Sequence, residues 1–192
     1  MMEASVFDEI VKSSALIFAG EMGDKTQLLS LLLVSRYGRP WVILSGVFVA
    51  TLLNHFMASF VGAWATGLVS SEVQRWGLAV IFWAFAIWIL FPDKEEELEA
   101  KAPHRSLFVL TTVLFFMAEM GDKTQLATVA LAAKFQSYWG VTLGSTLGMM
   151  GSNALALFWG PQLLKKIPMK HFRIFASFLF VLFGILVVIE SP

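Results

Sequence analysis

Apolar residues in this chain run in long blocks, not in the alternation of strands. Six blocks stand out, at residues 13–34, 41–63, 73–91, 107–133, 139–159 and 172–189. A membrane-spanning helix needs about 20 mostly apolar residues, and each block meets or approaches that length. None shows the period-two pattern of a barrel strand. The expected fold is therefore an all-α integral membrane protein with six transmembrane helices. The breaks at 36–40, 67–72 and 161–168 read as turns. Residues 92–106 form the only long polar segment, and it divides the chain into a first half at 1–91 and a second at 107–192. The N-terminal flank is acidic (Glu3, Asp8, Glu9) and no small-residue cleavage pattern follows, so no signal peptide is expected.

Composition agrees with that class. The chain is 57% hydrophobic and 15% charged, with 18 Phe and 7 Trp in 192 residues. Soluble domains carry about 25% charged and about 45–50% apolar residues, so one soluble core could not hide this much apolar surface. The absence of Cys excludes disulfides, thiolate metal sites and Cys nucleophiles. Lys and Arg balance Asp and Glu at 14 each, with no basic stripe that would suit nucleic acid. Basic loop residues set orientation. Arg36, Arg39, Lys94, Lys101, Arg105, Lys165, Lys166, Lys170 and Arg173 fall on one side, against Lys12, Arg75 and Lys134 on the other. The bias places the central loop in the cytoplasm and both termini outside.

The two halves are related by an internal repeat. Glu21-Met22-Gly23-Asp24-Lys25-Thr26-Gln27-Leu28 recurs unchanged as Glu119-Met120-Gly121-Asp122-Lys123-Thr124-Gln125-Leu126, 98 residues later. The same offset matches Leu16 with Leu114, Gly46 with Gly144, Arg75 with Arg173 and Phe82 with Phe180. A unit of three spans is odd, so its second copy enters the membrane from the opposite side. Inverted-topology repeats of this kind place a transport site at the repeat interface near the midplane.

The motif puts ionisable groups at bilayer depth, where each costs at least about 2.5–3.5 kcal/mol on insertion scales. Such groups must face each other or a wet cavity. On one continuous helix Glu21 and Asp24 share a face and Lys25 stays beside them. Thr26 and Gln27 then point away, unless Gly23 and Gly121 bend the helix and re-aim them, exposing backbone carbonyls. Glu21, Asp24, Glu119 and Asp122 are the primary expected metal ligands, joined by Thr26, Gln27, Thr124 and Gln125. Fully ionised, four carboxylates and two lysines leave a charge of −2, the counter-charge of one divalent cation. Oxygen donors suit Mn²⁺, Ca²⁺ and Mg²⁺. Carboxylates crowded in a low dielectric also take up protons readily, and an entering cation expels them. Lys25 and Lys123 are tuning residues, since an ammonium repels a cation.

The doubled Glu-x-Gly-Asp-Lys-[Thr/Ser] signature resembles a small family of cation–proton exchangers. Its eukaryotic members are Golgi manganese/calcium transporters linked to glycosylation, and its bacterial members are manganese exporters. The resemblance covers essentially the whole chain. It implies that Glu21, Asp24, Lys25 and Thr26, with Glu119, Asp122, Lys123 and Thr124, form one shared site at the pseudo-twofold axis. It also implies export of Mn²⁺, with Ca²⁺ as the alternative ion, against protons by alternating access. The absence of a long extension before the first block fits a bacterial inner-membrane protein. No cofactor is expected beyond the transported ion and the coupling protons. The expected partners are a divalent metal ion and membrane lipid; a homo-oligomer is compatible with this layout but not required by it.

Bland readings stand beside these. The motif pair could be two ion pairs that only staple helices. Asn54 and Asn153 fit either a gating role in the ion path or a hydrogen bond to a neighbouring helix. His55 reads first as a helix-bridging hydrogen bond, with a proton-carrying role second. Ser30 and Thr128 are expected to bond back to their own helices. Gly144, Gly148 and Ser152 read as close helix approach, Met22 and Met120 as packing, and Trp41, Trp76, Trp139 and Trp159 as interfacial anchors. The acidic run at 95–97 with Glu99 reads as a solvated loop. Three rival functions stand beside the exchanger: export of a small organic cation such as lysine by the same inverted architecture, a passive channel with the Glu and Asp residues as selectivity rings, and intramembrane proteolysis by Asp24 and Asp122. The protease would need one proton shared between its aspartates, and the neighbouring lysines oppose that.

Overall fold

The computed structural model describes residues 5–91, 106–163 and 169–190. The expected acidic loop at 92–105, with Glu95–Glu97 and Glu99, and residues 164–168 of the expected last turn lie outside the described residues. Everything regular that is described is helical. The elements are α1 (Val6–Glu21), α2 (Lys25–Tyr37), α3 (Pro40–Ala65), α4 (Ser71–Trp88), α5 (Leu107–Glu119), α6 (Lys123–Phe135), α7 (Tyr138–Leu163) and α8 (Met169–Glu190).

Among the described residues eight α-helices stand where six spans were expected, because each motif-bearing block is broken in two. α1 ends at Glu21 and Met22 leaves the helix with ψ 113°. Gly23 takes φ +80°, and Asp24 turns the chain into α2 from an extended conformation. The second copy repeats this, with Met120 at ψ 119° and Gly121 at φ +73°. A side chain at either glycine would be forced into the left-handed region, which costs about 1–2 kcal/mol. The motif thus carries its own helix break, at the glycines that the sequence offered as a bend.

The halves do not fold side by side. The extensive helix contacts all join one half to the other: α1 and α2 with α7, α3 with α5, α6 and α7, and α4 with α8. α1 and α2 follow α7 end to end in the same direction. Ile10 and Ser13 meet Gly144, Ser14 and Phe18 meet Gly148, and Leu31 meets Gly160. A methyl group on Gly148 would stand 2.5 Å from the Ser14 carbonyl oxygen, and one on Gly144 would stand 2.6 Å from that of Ile10. Both glycines are therefore points of close helix approach, as their spacing suggested. α5 and α6 follow α3 in the same way, from Thr111 against Gly46 to Val129 against Gly62. α3 and α7 run in opposite directions, with Trp41 on Phe158 at 4.8 Å and Phe60 near Tyr138 at 6.4 Å. The repeat-equivalent rings Phe82 and Phe180 meet at 6.3 Å between α4 and α8.

Among the described residues, two stretches, Pro40–Leu68 and Tyr138–Gly160, are long and apolar enough to cross a membrane alone. At 1.5 Å per residue, α1 and α2 are about 24 Å and about 20 Å long, each short of a bilayer core of about 30 Å. Laid end to end along α7 they are long enough together. Trp41, Trp76, Trp139 and Trp159 are all exposed.

Candidate functional site

The two breaks face each other in the middle of the bundle. Glu21 and Glu119, the last residues of α1 and α5, are fully buried, and Asp24 and Asp122 head α2 and α6 with almost no exposure. Carboxylate oxygens of Glu21, Asp24 and Asp122 lie within 4.8 Å of one another. Hard cations bind oxygens at about 2.0–2.6 Å, so ligands on opposite sides of one ion stand about 4–5 Å apart. These three acids meet that dimension without rearrangement. Glu119 joins them through Thr124, whose hydroxyl lies 3.3 Å from Glu119 Oε2 and 3.4 Å from Asp122 Oδ2. In the first copy Thr26 donates to Glu21 Oε2 at 2.7 Å. Both threonines are thus turned onto the acids by the helix break.

Each lysine pairs with the aspartate of the other copy. Lys123 Nζ is 2.7 Å from Asp24 Oδ1, and Lys25 Nζ is 3.2 Å from Asp122 Oδ1. Both pairs therefore cross between the N-terminal ends of α2 and α6. The pairs differ in exposure: Lys123 is 8% exposed and Lys25 30%. The N-termini of α2 and α6 add partial positive charge beside the acids, and the open ends of α1 and α5 offer carbonyl oxygens.

Gln27 and Gln125 brace the breaks. Gln27 Oε1 accepts the Gly23 N–H at 2.9 Å, while its amide donates to Ser152 Oγ at 2.8 Å and to the Ser152 carbonyl at 2.9 Å. Gln125 Oε1 accepts the Gly121 N–H at 2.7 Å, and its amide reaches Asn54 Oδ1 at 3.5 Å. Asn54 also donates to the Phe116 carbonyl, and Asn153 accepts from Ser30 at 2.6 Å. Ser30 therefore bonds across to α7 and not to its own helix, whereas Thr128 bonds back to Thr124 as expected. His55 is fully buried and neither ring nitrogen has a partner, so the expected helix-bridging bond is not made.

Two residues outside the expected set reach this region. Ser152 holds Gln27, and Arg173 donates to the Gly23 carbonyl at 3.2 Å. The pairing of Arg173 with Arg75 at the repeat offset was the signal available for it. The copies are unequal here. Arg75 lies 3.9 Å from Glu72, and Met120 is 51% exposed against 3% for Met22. A separate cavity of 530 Å³ between α4 and α6, lined by residues such as Val73, Ile81 and Leu126, is apolar and offers a cation no charged ligand.

Comparison with known proteins agrees with this chemistry. Residues 9–97 and 107–192 both match the family model for the divalent cation/proton antiporter GDT1. The chain belongs to the GDT1 family. It is 40% identical over 185 residues to a Vibrio cholerae protein named "Putative manganese exporter", covering 94% of this chain and 90% of that one. A GDT1-like protein of Synechocystis is 29% identical, with 88% and 91% covered, and GDT1-like protein 3 of Arabidopsis thaliana is 26% identical, with 94% and 70% covered. No solved structure matches the chain. GDT1 proteins are cation transporters and not enzymes, which removes the ground for the protease reading.

Proposed function

We propose that this GDT1 protein exports a divalent cation from the cytoplasm in exchange for protons, with Mn²⁺ as the principal ion and Ca²⁺ as an alternative. The observation that carries this is the reciprocal pairing of Lys25 with Asp122 and Lys123 with Asp24 around Glu21 and Glu119. Neither half owns a complete site, so any rocking of one half against the other remakes it. The name of the Vibrio relative favours Mn²⁺.

In the proposed layout the eight helices form six spans as two inverted three-span repeats. α1 with α2 and α5 with α6 each count as one broken span, and the central loop lies in the cytoplasm. Glu21, Asp24, Glu119 and Asp122 are the ligands. Thr26, Thr124 and the freed carbonyls complete the shell. Gln27 and Gln125, braced as they are, enter it on reorientation. Lys25, Lys123, Gly23, Gly121, Asn54 and Asn153 tune and gate. An arriving cation displaces protons and the lysine ammonium groups from the acids. The neutralised cluster then permits the halves to rock, and protons on the far side release the ion.

The test is Mn²⁺ flux into proteoliposomes with and without an imposed pH gradient, Ca²⁺ serving as competitor. Gradient-driven flux that disappears in Glu21→Gln and Glu119→Gln supports the exchanger and its site. Flux indifferent to the gradient would make the protein a channel, and unchanged flux in either variant would sink the site assignment.

A further inference from the structure

α4 and α8 are equivalent in the repeat and pack on each other. Phe82, Phe85 and Ile89, in and just after α4, match Phe180, Phe183 and Val187 of α8 at the 98-residue offset, and all six belong to one buried apolar cluster. This pair does not treat the two halves alike. Ile17 of α1 and Ala127 and Leu131 of α6 belong to the same cluster. Their equivalents at the offset, Phe115 of α5 and Leu29 and Leu33 of α2, are also buried. They belong to a second cluster, which among the described residues contains nothing from α4 or α8. The helix contacts agree: α1 packs on α8 and α6 on α4, without comparable packing of α5 on α4 or α2 on α8 among the described residues. Near the breaks, a Cβ on Gly20 would stand 3.4 Å from Ile89 and 3.7 Å from Phe180. Ala118, the equivalent of Gly20, packs instead on the second cluster, while Val187, the equivalent of Ile89, stays in the first.

The arginines near the starts of these two helices differ in the same sense. Arg173 of α8 donates to the Gly23 carbonyl at the first break, at 3.2 Å. Arg75, its equivalent on α4, makes no such bond to Gly121 at the second break among the described residues. It stands 3.9 Å from the exposed Glu72, beyond hydrogen-bond range, and its Nε is buried without a partner among the described residues. A buried donor left without a partner is costly, so this is a resting place for Arg75 and not its best one. Burial of the breaks follows the same division: Met22 is covered beside Gly23, and Met120 is open beside Gly121. Two halves that share a fold can exchange conformations, and in inverted repeats that exchange is what moves the opening from one side to the other.

We propose that Arg173 and Arg75 are alternating positioning residues of the transport cycle. Arg173 holds the Gly23 carbonyl in the conformation described, in which the α4–α8 pair closes on α1 and α6. Arg75 takes the Gly121 carbonyl when that pair crosses to α5 and α2. The inference rests on the reading of the protein as an exchanger and supplies the contacts that distinguish its two end states. α2 ends and α5 begins at the same end of the bundle, since α5 and α6 follow α3 from its start. The uncovered side in the present conformation is therefore that of the central loop, the cytoplasmic side in the proposed layout. A guanidinium keeps its charge at every working pH, so the hold depends on geometry and not on proton uptake by the arginine.

The native sequence has no Cys, so introduced cysteine pairs report proximity against a clean background. Two pairs are placed in the full-length protein in proteoliposomes and trapped with a short membrane-permeant bifunctional thiol reagent. Gly20→Cys with Ile89→Cys is apposed in the conformation described, and Ala118→Cys with Val187→Cys is the equivalent pair for the opposite one. Arg173→Gln should lower the ratio of the first product to the second by about tenfold, the worth of one charge-assisted hydrogen bond, and Arg75→Gln should raise it. The double variant should return the ratio to within about twofold of the parent, since each state then loses its own hold. A residue that only supports the fold would not shift the two products in opposite directions or cancel in the double variant. If the Gln variants yield neither product, Arg173→Lys and Arg75→Lys, which keep a donor, are read for smaller shifts of the same opposite signs. Shifts of the same sign, an unchanged ratio, or no Ala118–Val187 product in any variant would overturn the proposal. Cross-linking needs no flux, which keeps the two readings apart. Opposite shifts in a protein whose native form shows no gradient-driven Mn²⁺ flux would support the arginine pair and contradict antiport, whereas native flux with an unmoved ratio would do the reverse.

Discussion

Lys123 and Lys25 occupy equivalent positions, yet their surroundings set different energetic roles. The Lys123–Asp24 pair is nearly dry, and breaking a buried pair by removing one partner costs about 3–5 kcal/mol. Lys25 is 30% exposed, and a partly hydrated pair is worth far less. Lys123→Met should therefore lower the melting temperature in detergent clearly more than Lys25→Met, measured side by side by differential scanning fluorimetry. Proton competition also belongs at this scale. Carboxylate ligands bind metal only when deprotonated, so metal binding releases protons. Mn²⁺ affinity by titration calorimetry should fall as pH is lowered, and Glu21→Asn should flatten that dependence. The duplication made the acids and lysines legible in the sequence. Their partners were not, because an ion pair across two halves depends on how α2 and α6 are swung, and i, i+4 spacing carries nothing about that.

Among the elements, the broken helix is the central device. Gly23 was visible as a candidate bend, but the stop at Glu21 and restart at Lys25 come from backbone geometry that Gly permits and does not compel. The break turns Thr26 and Thr124 onto Glu21 and Glu119, whereas an unbroken helical wheel points Thr26 away from Glu21. Close packing of α1 on α7 makes a second point. Gly148→Ala places a methyl 2.5 Å from the Ser14 carbonyl oxygen, whereas Gly77 of α4 has nothing within 4 Å. Gly148→Ala should lower thermal stability. Gly77→Ala should leave it unchanged or raise it, since Ala favours a helix interior over Gly by about 0.8–1.0 kcal/mol.

Over the whole molecule, the repeats are sequence units that exchange their packing surfaces. Because α1 and α2 lie on α7, α5 and α6 on α3, and α4 on α8, neither half buries its own apolar faces. Residues 1–98 and 99–192, expressed as separate chains, should be unstable alone and should co-purify as a complex when expressed together, as size-exclusion chromatography would read. Copies that fold independently would contradict the interlocked core. The sequence alone determined the class, the doubled acidic motif and a charge balance suited to one divalent cation, since hydropathy and charge are local and additive along the chain. Only the tertiary structure decided which lysine meets which aspartate, that Gln27 and Gln125 brace the breaks, that Arg173 reaches Gly23 and that His55 stands without a partner. Those are contacts between residues far apart in the chain, set by the interdigitation of two halves, and local propensity has no information about a neighbour some 100 positions away.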